Sequence, residues 1–295
     1  MVKYGSLVKR LRRRPLTAET GVRFPYELLL PYEQKSLREC KPWGFIIFRS
    51  IRRSTMLSLD NLRLDLPDKE NLINGVSLDI APGKLTVITG PNGGGKTSIA
   101  KLIAGIFVPT SGRILLDGED ITALSVTERA NKGIAYAFQQ PVSFKGITVR
   151  RLMELASKEK MPEIKMCRIL EKVGLCAREY MDREMDHSLS GGEMKRIEIA
   201  SVLARSASYL IFDEPEAGID LWSFTSLIDA FDVLKKEEDR ALLIISHQER
   251  ILNIADDIVV IKDGVIAQQG PRDEVFPTLM NDKTNVYCPK GKEMF

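Results

Sequence analysis

Gly90-Pro91-Asn92-Gly93-Gly94-Gly95-Lys96-Thr97 is the segment that most restricts what this chain can become. It stands between an apolar run suited to a buried strand, Leu85–Thr89, and the helical pattern of Ser98–Phe107. Glycines at these positions let successive backbone N–H groups turn inward at the start of a helix, where the partial positive charge of the aligned peptides favours an anion. The spacing satisfies the phosphate-binding P-loop pattern in its required strand-to-helix context. In that pattern Lys96 reaches the β- and γ-phosphates of a nucleotide and the Thr97 hydroxyl ligates Mg²⁺.

The rest of the chain agrees with an α/β fold. From Met56 onward short apolar runs alternate with helical patterns, which predicts a largely parallel sheet. Leu57–Leu66 and Val76–Ile80 alternate like hairpin strands. Leu85–Thr89, Ile134–Phe138, Leu210–Phe212 and Leu242–Ile245 are continuous apolar runs, the mark of strands covered on both faces, and are expected to form the central sheet. Val149–Leu155 and Ile164–Val173 carry helical spacing and predict a helical insert over about 140–187. Ile258–Ile261, Asp263-Gly264 and Val265–Ala267 read as a hairpin. The polar stretch after Pro277 reads as a loose tail, so the folded domain is expected over 56–275 and the tail over 276–295.

Charge is unevenly spread. Residues 1–55 carry 13 Lys and Arg against 4 Asp and Glu, leaving 30 against 36 in the remainder. An acidic body argues against sequence-independent binding to nucleic acid, which requires a basic surface to displace counterions. The basic first 55 residues show no sustained period and are expected to be disordered. Three readings of them compete: a mis-assigned start with the true one at Met56, an organelle transit peptide, or a basic interaction arm. The longest apolar stretches, such as Phe45–Phe48 and Ile258–Ile261, fall far short of the roughly 18–20 residues that cross a bilayer, so no direct membrane insertion is expected. Cys40, Cys167, Cys176 and Cys288 have no metal-ligand spacing, which points to free thiols in a reducing compartment and hence to the cytoplasm.

Two further constellations carry chemistry. Tyr209-Leu210-Ile211-Phe212 is an apolar strand that ends in adjacent carboxylates, Asp213 and Glu214. Strand alternation sends them to opposite faces and so to different tasks: Asp213 to Mg²⁺ through water, Glu214 to the attacking water as a general base. Leu189-Ser190-Gly191-Gly192-Glu193 then precedes the helical run Met194–Arg205. Ser190 and Glu193 form a capping box, and a bare Gly-Gly helix start is also a second anion site, which suggests two chains sharing a nucleotide.

Together these residues resemble the ATP-binding cassette (ABC) ATPases over about residues 56–275. Gly90–Thr97 resembles Walker A, Gln139 the Q-loop glutamine, Ser190–Glu193 the family signature, and Tyr209–Glu214 Walker B. Ala217-Gly218-Ile219-Asp220 resembles the D-loop, and His247 after Leu242–Ser246 the switch histidine. The resemblance implies a P-loop NTPase fold with a mixed central sheet, an antiparallel β subdomain and a helical insert carrying the signature. It also implies ATP and Mg²⁺ as cofactors and a second ABC subunit in a head-to-tail homodimer. The expected nucleotide contacts are Gly90, Pro91, Asn92, Gly93, Gly94, Gly95, Lys96, Thr97 and Ser98, with Ser190, Gly191, Gly192 and Asp220 from the other subunit. Thr97, Gln139 and Asp213 are the expected metal ligands, and Glu214, His247, Gln139 and Lys96 the catalytic set. His187 matches no motif. Where the family often stacks adenine on an aromatic, Arg63-Leu64-Asp65-Leu66-Pro67 has none, so base recognition is expected to be weak.

Within the family, three details look more like the iron–sulfur assembly ATPase SufC than a transporter subunit. They are Pro141 two residues after Gln139, the acid Glu216 where transporters usually carry Thr or Ser, and Met194-Lys195-Arg196 after Glu193. The resemblance implies a SufB/SufD-like scaffold as partner, met through Gln140–Lys158, with the ATP-binding subunit of a membrane transporter as the alternative. Val142 and Phe144 there are either partner contacts or core, and Cys288 either touches a cluster or is an inert exposed thiol.

Overall fold

The computed structural model describes residues 56–237 and 239–284. The readings that concern residues 1–55 and Cys288 lie outside these described residues.

The chain opens with β1 (Leu57–Leu66) and β2 (Lys69–Ile80), an antiparallel pair as expected. After β3 (Leu85–Thr89) and α1 (Lys96–Ala104) it returns as β4 (Ser111–Leu116), which pairs antiparallel with β1 and turns at Asp117-Gly118 into β5 (Glu119–Asp120). The four strands form one sheet in the order β2-β1-β4-β5. Next come α2 (Val126–Asn131), capped by the Ser125–Glu128 box, and β6 (Ile134–Ala137).

The insert is built from β7 (Phe144–Thr148), α3 (Val149–Ser157), α4 (Glu163–Lys172), α5 (Ala177–Tyr180) and β8 (Glu184–Met185). The helices are where the spacing put them, but the insert also has strands: Phe144 pairs with Met185 and Thr148 with Glu184, which ties its two ends together. Val142 and Phe144 are exposed, and the open choice between partner contact and core resolves away from the core.

The chain continues through α6 (Gly191–Ala204), β9 (Tyr209–Asp213), α7 (Leu221–Leu234), β10 (Ala241–Ile245), α8 (Glu249–Ile254), β11 (Asp257–Lys262), β12 (Val265–Pro271) and α9 (Arg272–Thr284). The second sheet has the order β12-β11-β3-β10-β9-β6, parallel except for β12. The four expected central strands are all there. The late hairpin is more than a hairpin, because β11 runs parallel to β3 and extends the same sheet.

Why these strands read as unbroken apolar runs is visible in the core. Alternate residues enter different clusters: Leu85, Val87, Leu210, Phe212, Leu242 and Ile244 pack with the insert, α6, α7 and α8. Ile88, Tyr209, Ile211, Leu243, Ile245 and Val259 pack with β1, β2, β4 and α1. Each large side chain buried in this way contributes about 1.5–3 kcal/mol, so both faces are mostly apolar, with Thr86 and Thr89 as the buried polar residues of β3.

The end of the chain corrects one expectation. Residues 276–284 are helical, not a loose tail, and Pro277 sits inside α9. Val275 is buried, and Phe276 and Leu279 pack against the core, which offsets the hydrogen bond that a proline cannot make.

Candidate active site

Parallel strands aimed the same way deliver their C-terminal ends to one edge of the sheet, the usual place for a ligand crevice. Here β3 delivers the glycine loop, β6 delivers Phe138-Gln139, β9 delivers Asp213-Glu214, and β10 delivers Ser246-His247. A cleft of about 490 Å³ at this edge is lined by Asn92, Gly93, Gly95, Lys96, Thr97, Ser98, Gln139, Glu214 and His247, together with Lys69 and Leu72 of β2.

The loop is shaped by backbone geometry. Gly90 has φ 133°, and a Cβ there would lie 2.0 Å from the Ile261 carbonyl oxygen, so no other residue fits. Gly95 precedes α1 without any side-chain cap, which leaves the first N–H groups of the helix free for an anion. Lys96 is 7% exposed, and its Nζ donates to the carbonyls of Gly90 at 2.8 Å and Pro91 at 2.9 Å. Burial lowers its pKa, while Glu214 and Asp213 oppose the fall.

Asp213 is fully buried and accepts from the Thr97 hydroxyl at 3.1 Å and the Tyr136 hydroxyl at 2.9 Å. Burial raises its pKa, and these two hydrogen bonds pull it back. The same carboxylate, with burial as the larger cause, pushes the Tyr136 phenol far up. The hydroxyl of Thr97 beside one carboxylate fits Mg²⁺, which is bound by one or two carboxylates and otherwise by water and phosphate. The uncapped helix end and Lys96 fit the phosphates. Both implied groups therefore suit the residues present.

Glu214 adopts φ 44°, the left-handed region, and its N–H donates to the Ile245 carbonyl at 3.0 Å. Strand alternation was the expected reason for the divergence of the two acids. The structure gives another one: β9 ends at Asp213, and Glu214 turns out of the strand through its positive φ. Its Oε2 accepts from Gln139 Nε2 at 2.7 Å.

Ser190, Gly191, Gly192 and Asp220 do not line this cleft. Ser190 caps α6 in the expected box, with Glu193 N–H on its hydroxyl at 3.2 Å and its own N–H on the Glu193 carboxylate at 2.7 Å. Tyr180 donates to the same carboxylate and, with Ser190, brings it down to about 2. A Cβ on Gly192 would lie 2.6 Å from the Gly218 carbonyl oxygen, so the signature and the D-loop pack backbone to backbone. Asp220 caps α7 through Trp222 N–H at 3.1 Å and Ser223 N–H at 3.0 Å. His187 is exposed and stands apart from the cleft, as its lack of a motif implied.

Three residues that matter were not singled out for the site from the sequence: Tyr136, Lys195 and Glu198. The Lys195 ammonium is fully buried and donates to the carbonyls of Phe138, Gln139 at 3.2 Å and Asp213 at 3.4 Å. Glu198, one helical turn on, ion-pairs with it at 3.6 Å and accepts from Phe138 N–H at 2.7 Å. Burial lowers the lysine pKa and raises that of Glu198, and each is opposed by the other's charge. Removing one member of a buried pair leaves an uncompensated charge, so Lys195→Ala should lose about 3–5 kcal/mol in urea unfolding. A loss below about 1 kcal/mol would show that the pair does not hold the strand ends together.

A glycine loop from β3, an acid pair from β9 and a strand-end histidine around one cleft define a P-loop NTPase. A match to the ABC transporter family spans residues 73–217. The uncharacterised ABC transporter ATP-binding protein MJ0035 of Methanocaldococcus jannaschii is 37% identical over 228 residues, 75% of this chain and 90% of the relative. The chain belongs to the ABC ATPases, the ATP- and Mg²⁺-using cassettes. The Bacillus subtilis glycine betaine/carnitine/choline transport ATP-binding protein OpuCA is 33% identical over 243 residues, covering 81% of this chain but 63% of its own length. Among solved structures, the ATP-binding cassette MJ0796, dimeric and bound to ADP and Pi, superposes with TM-score 0.65 at 21% identity, covering 73% of this chain and 98% of that one. These relatives are described by ABC transport, and the expected iron–sulfur assembly role finds no support in them.

Proposed function

We propose that this chain is the ATP-hydrolysing subunit of an ABC transporter, working as a head-to-tail pair at the cytoplasmic side of a separate permease. One observation carries the two-copy reading: Lys96, Gln139, Glu214 and His247 line one cleft, while Ser190, Gly192 and Asp220, also motif residues, do not line it. A second copy supplies them. Among the described residues no helix is long and apolar enough to cross a membrane, in keeping with a separate permease.

In this reading Gly90–Ser98 hold the phosphates of ATP and Lys96 spans the β- and γ-groups. Thr97 and Asp213, with Gln139, hold Mg²⁺, which when bound neutralises charge on the phosphate oxygens. Glu214 accepts the proton of the attacking water, and Gln139 holds its carboxylate toward the cleft at 2.7 Å. His247, which lines the same cleft, would meet the γ-phosphate. Ser190 and Gly192 of the second copy close the site, so that electrostatic stabilisation is complete only in the dimer.

A transport partner replaces the SufB/SufD-like scaffold as the leading reading because the relatives are transport ATP-binding proteins. The scaffold stays as a second reading on Glu216, one of the three details that prompted it, whose Oε1 accepts from the Ser246 hydroxyl next to His247. Affinity capture with tagged Glu214→Gln protein and Mg·ATP, from solubilised native extract, separates the two. Recovery of a multi-span permease supports transport. Recovery of a soluble scaffold of the SufB/SufD kind overturns it and leaves the hydrolytic residues in place.

A further inference from the structure

Glu216 lies in the turn that leads from Glu214 to Asp220, a turn closed by Ala217 N–H on the Glu214 carbonyl at 3.1 Å and Ile219 N–H on the Glu216 carbonyl at 3.1 Å. Its side chain points back into the protein. Ser246, fully buried, donates its hydroxyl to Glu216 Oε1 at 2.5 Å and accepts the Gln248 N–H at 3.0 Å. The Ser246 N–H is held by the Ile88 carbonyl at 3.1 Å. The other carboxylate oxygen, Oε2, is buried with no hydrogen-bond partner among the described residues.

A buried carboxylate with one oxygen unsatisfied is costly. What it does follows from the chemistry of a hydroxyl. A serine O–H is a rotor with one proton and two lone pairs, and its acceptor direction is undefined until the proton has a partner. Glu216 accepts a hydrogen bond from that hydroxyl, which aims a lone pair of Ser246 at the Gln248 N–H. The backbone is thereby pinned on both sides of His247, whose side chain is exposed and free to reach a ligand.

Resting on the ATPase reading above, we infer that Glu216 is a positioning residue for His247, acting through Ser246, and that it joins the Glu214–Asp220 turn and the histidine loop into one unit. Movement of the turn that faces a second copy is then felt at His247 without passing through the nucleotide.

The test is steady-state ATP hydrolysis by the full chain. Glu216→Ala and Ser246→Ala should each lower kcat about tenfold while KM for ATP stays within about twofold, a loss short of the roughly hundredfold that a misplacement of a full ångström can cause. The double variant should fall no further than the worse single, because one chain of bonds is being cut twice. In a His247→Ala background, Glu216→Ala should cost nothing more. Glu216→Gln, whose amide oxygen still accepts from Ser246, should recover to within about threefold of the parent chain. Additive losses, an equal loss without His247, or a Gln variant as poor as Ala would overturn the inference. If Glu216→Ala does not fold, the Ser246→Ala and His247→Ala pair decides by the same cycle. Glu214→Gln runs alongside: unimpaired turnover there sinks the ATPase reading itself, whereas its loss beside silent Glu216 variants sinks only this inference.

Discussion

Glu214→Gln is expected to bind ATP as well as the parent chain and to hydrolyse it at least about a hundredfold more slowly, the loss typical of a missing general base. The substitution keeps the length of the side chain and its partner Gln139, and removes the negative charge together with the capacity to take a proton. It also keeps the unusual backbone. Glu214 sits at φ 44°, a conformation that costs a non-glycine residue of order 1 kcal/mol and is sustained by its N–H bond to Ile245. Strain at this point sets the carboxylate apart from Asp213, and glutamine inherits it unchanged. Single-turnover hydrolysis measured next to nucleotide binding separates the two effects, and near-normal turnover would remove Glu214 from its role.

Lys96→Ala should act on the other quantity. Its ammonium is the buried positive charge of the glycine loop and bridges the carbonyls of Gly90 and Pro91. Truncation removes the charge meant for the phosphates and the ammonium bond to each carbonyl, of which Pro91 keeps the Gly94 N–H. Affinity for ATP should fall at least about a hundredfold, or roughly 2.7 kcal/mol, by titration calorimetry. Unchanged affinity would undo the phosphate-site assignment. Burial lowers the lysine pKa, and the charges of Glu214 and Asp213 oppose that fall. Lys96 and the acid pair are therefore one electrostatic unit, and variants in them should not add.

The parts of this site that could be read in the sequence are those whose spacing is local. A glycine loop between strand and helix, two acids at a strand end and a capping box each lie within a few residues, where backbone geometry alone restricts the choice. Tyr136 and Lys195 had no such signal. Tyr136 meets Asp213 only because β6 lies beside β9, and Lys195 meets Phe138 only because α6 packs across the end of β6. A tyrosine in an apolar strand and a lysine in a helix are ordinary until topology brings them to an acid. The same holds for α9, where polar composition and Pro277 argued for a tail and the burial of Val275 decided otherwise. Glu214 shows a subtler limit. The two acids diverge as alternation required, yet the cause is a left-handed turn that no spacing reveals.

The place of β3 in its sheet has a consequence for how this protein comes into being. β3 carries the phosphate loop, and both of its neighbours, β10 and β11, belong to the last part of the chain. Gly90 closes against the Ile261 carbonyl, and the Gly94 carbonyl accepts from Gly264 N–H. As the chain emerges from the ribosome, β1, β2 and β4 can pair early, while β3 waits without a sheet partner until residues beyond 241 appear. Contacts that span such separations are slow to form, and the unpaired strand is exposed to aggregation in the interval. Nucleotide thus has no complete loop to stabilise until β10 and β11 have been made and have taken their places beside β3.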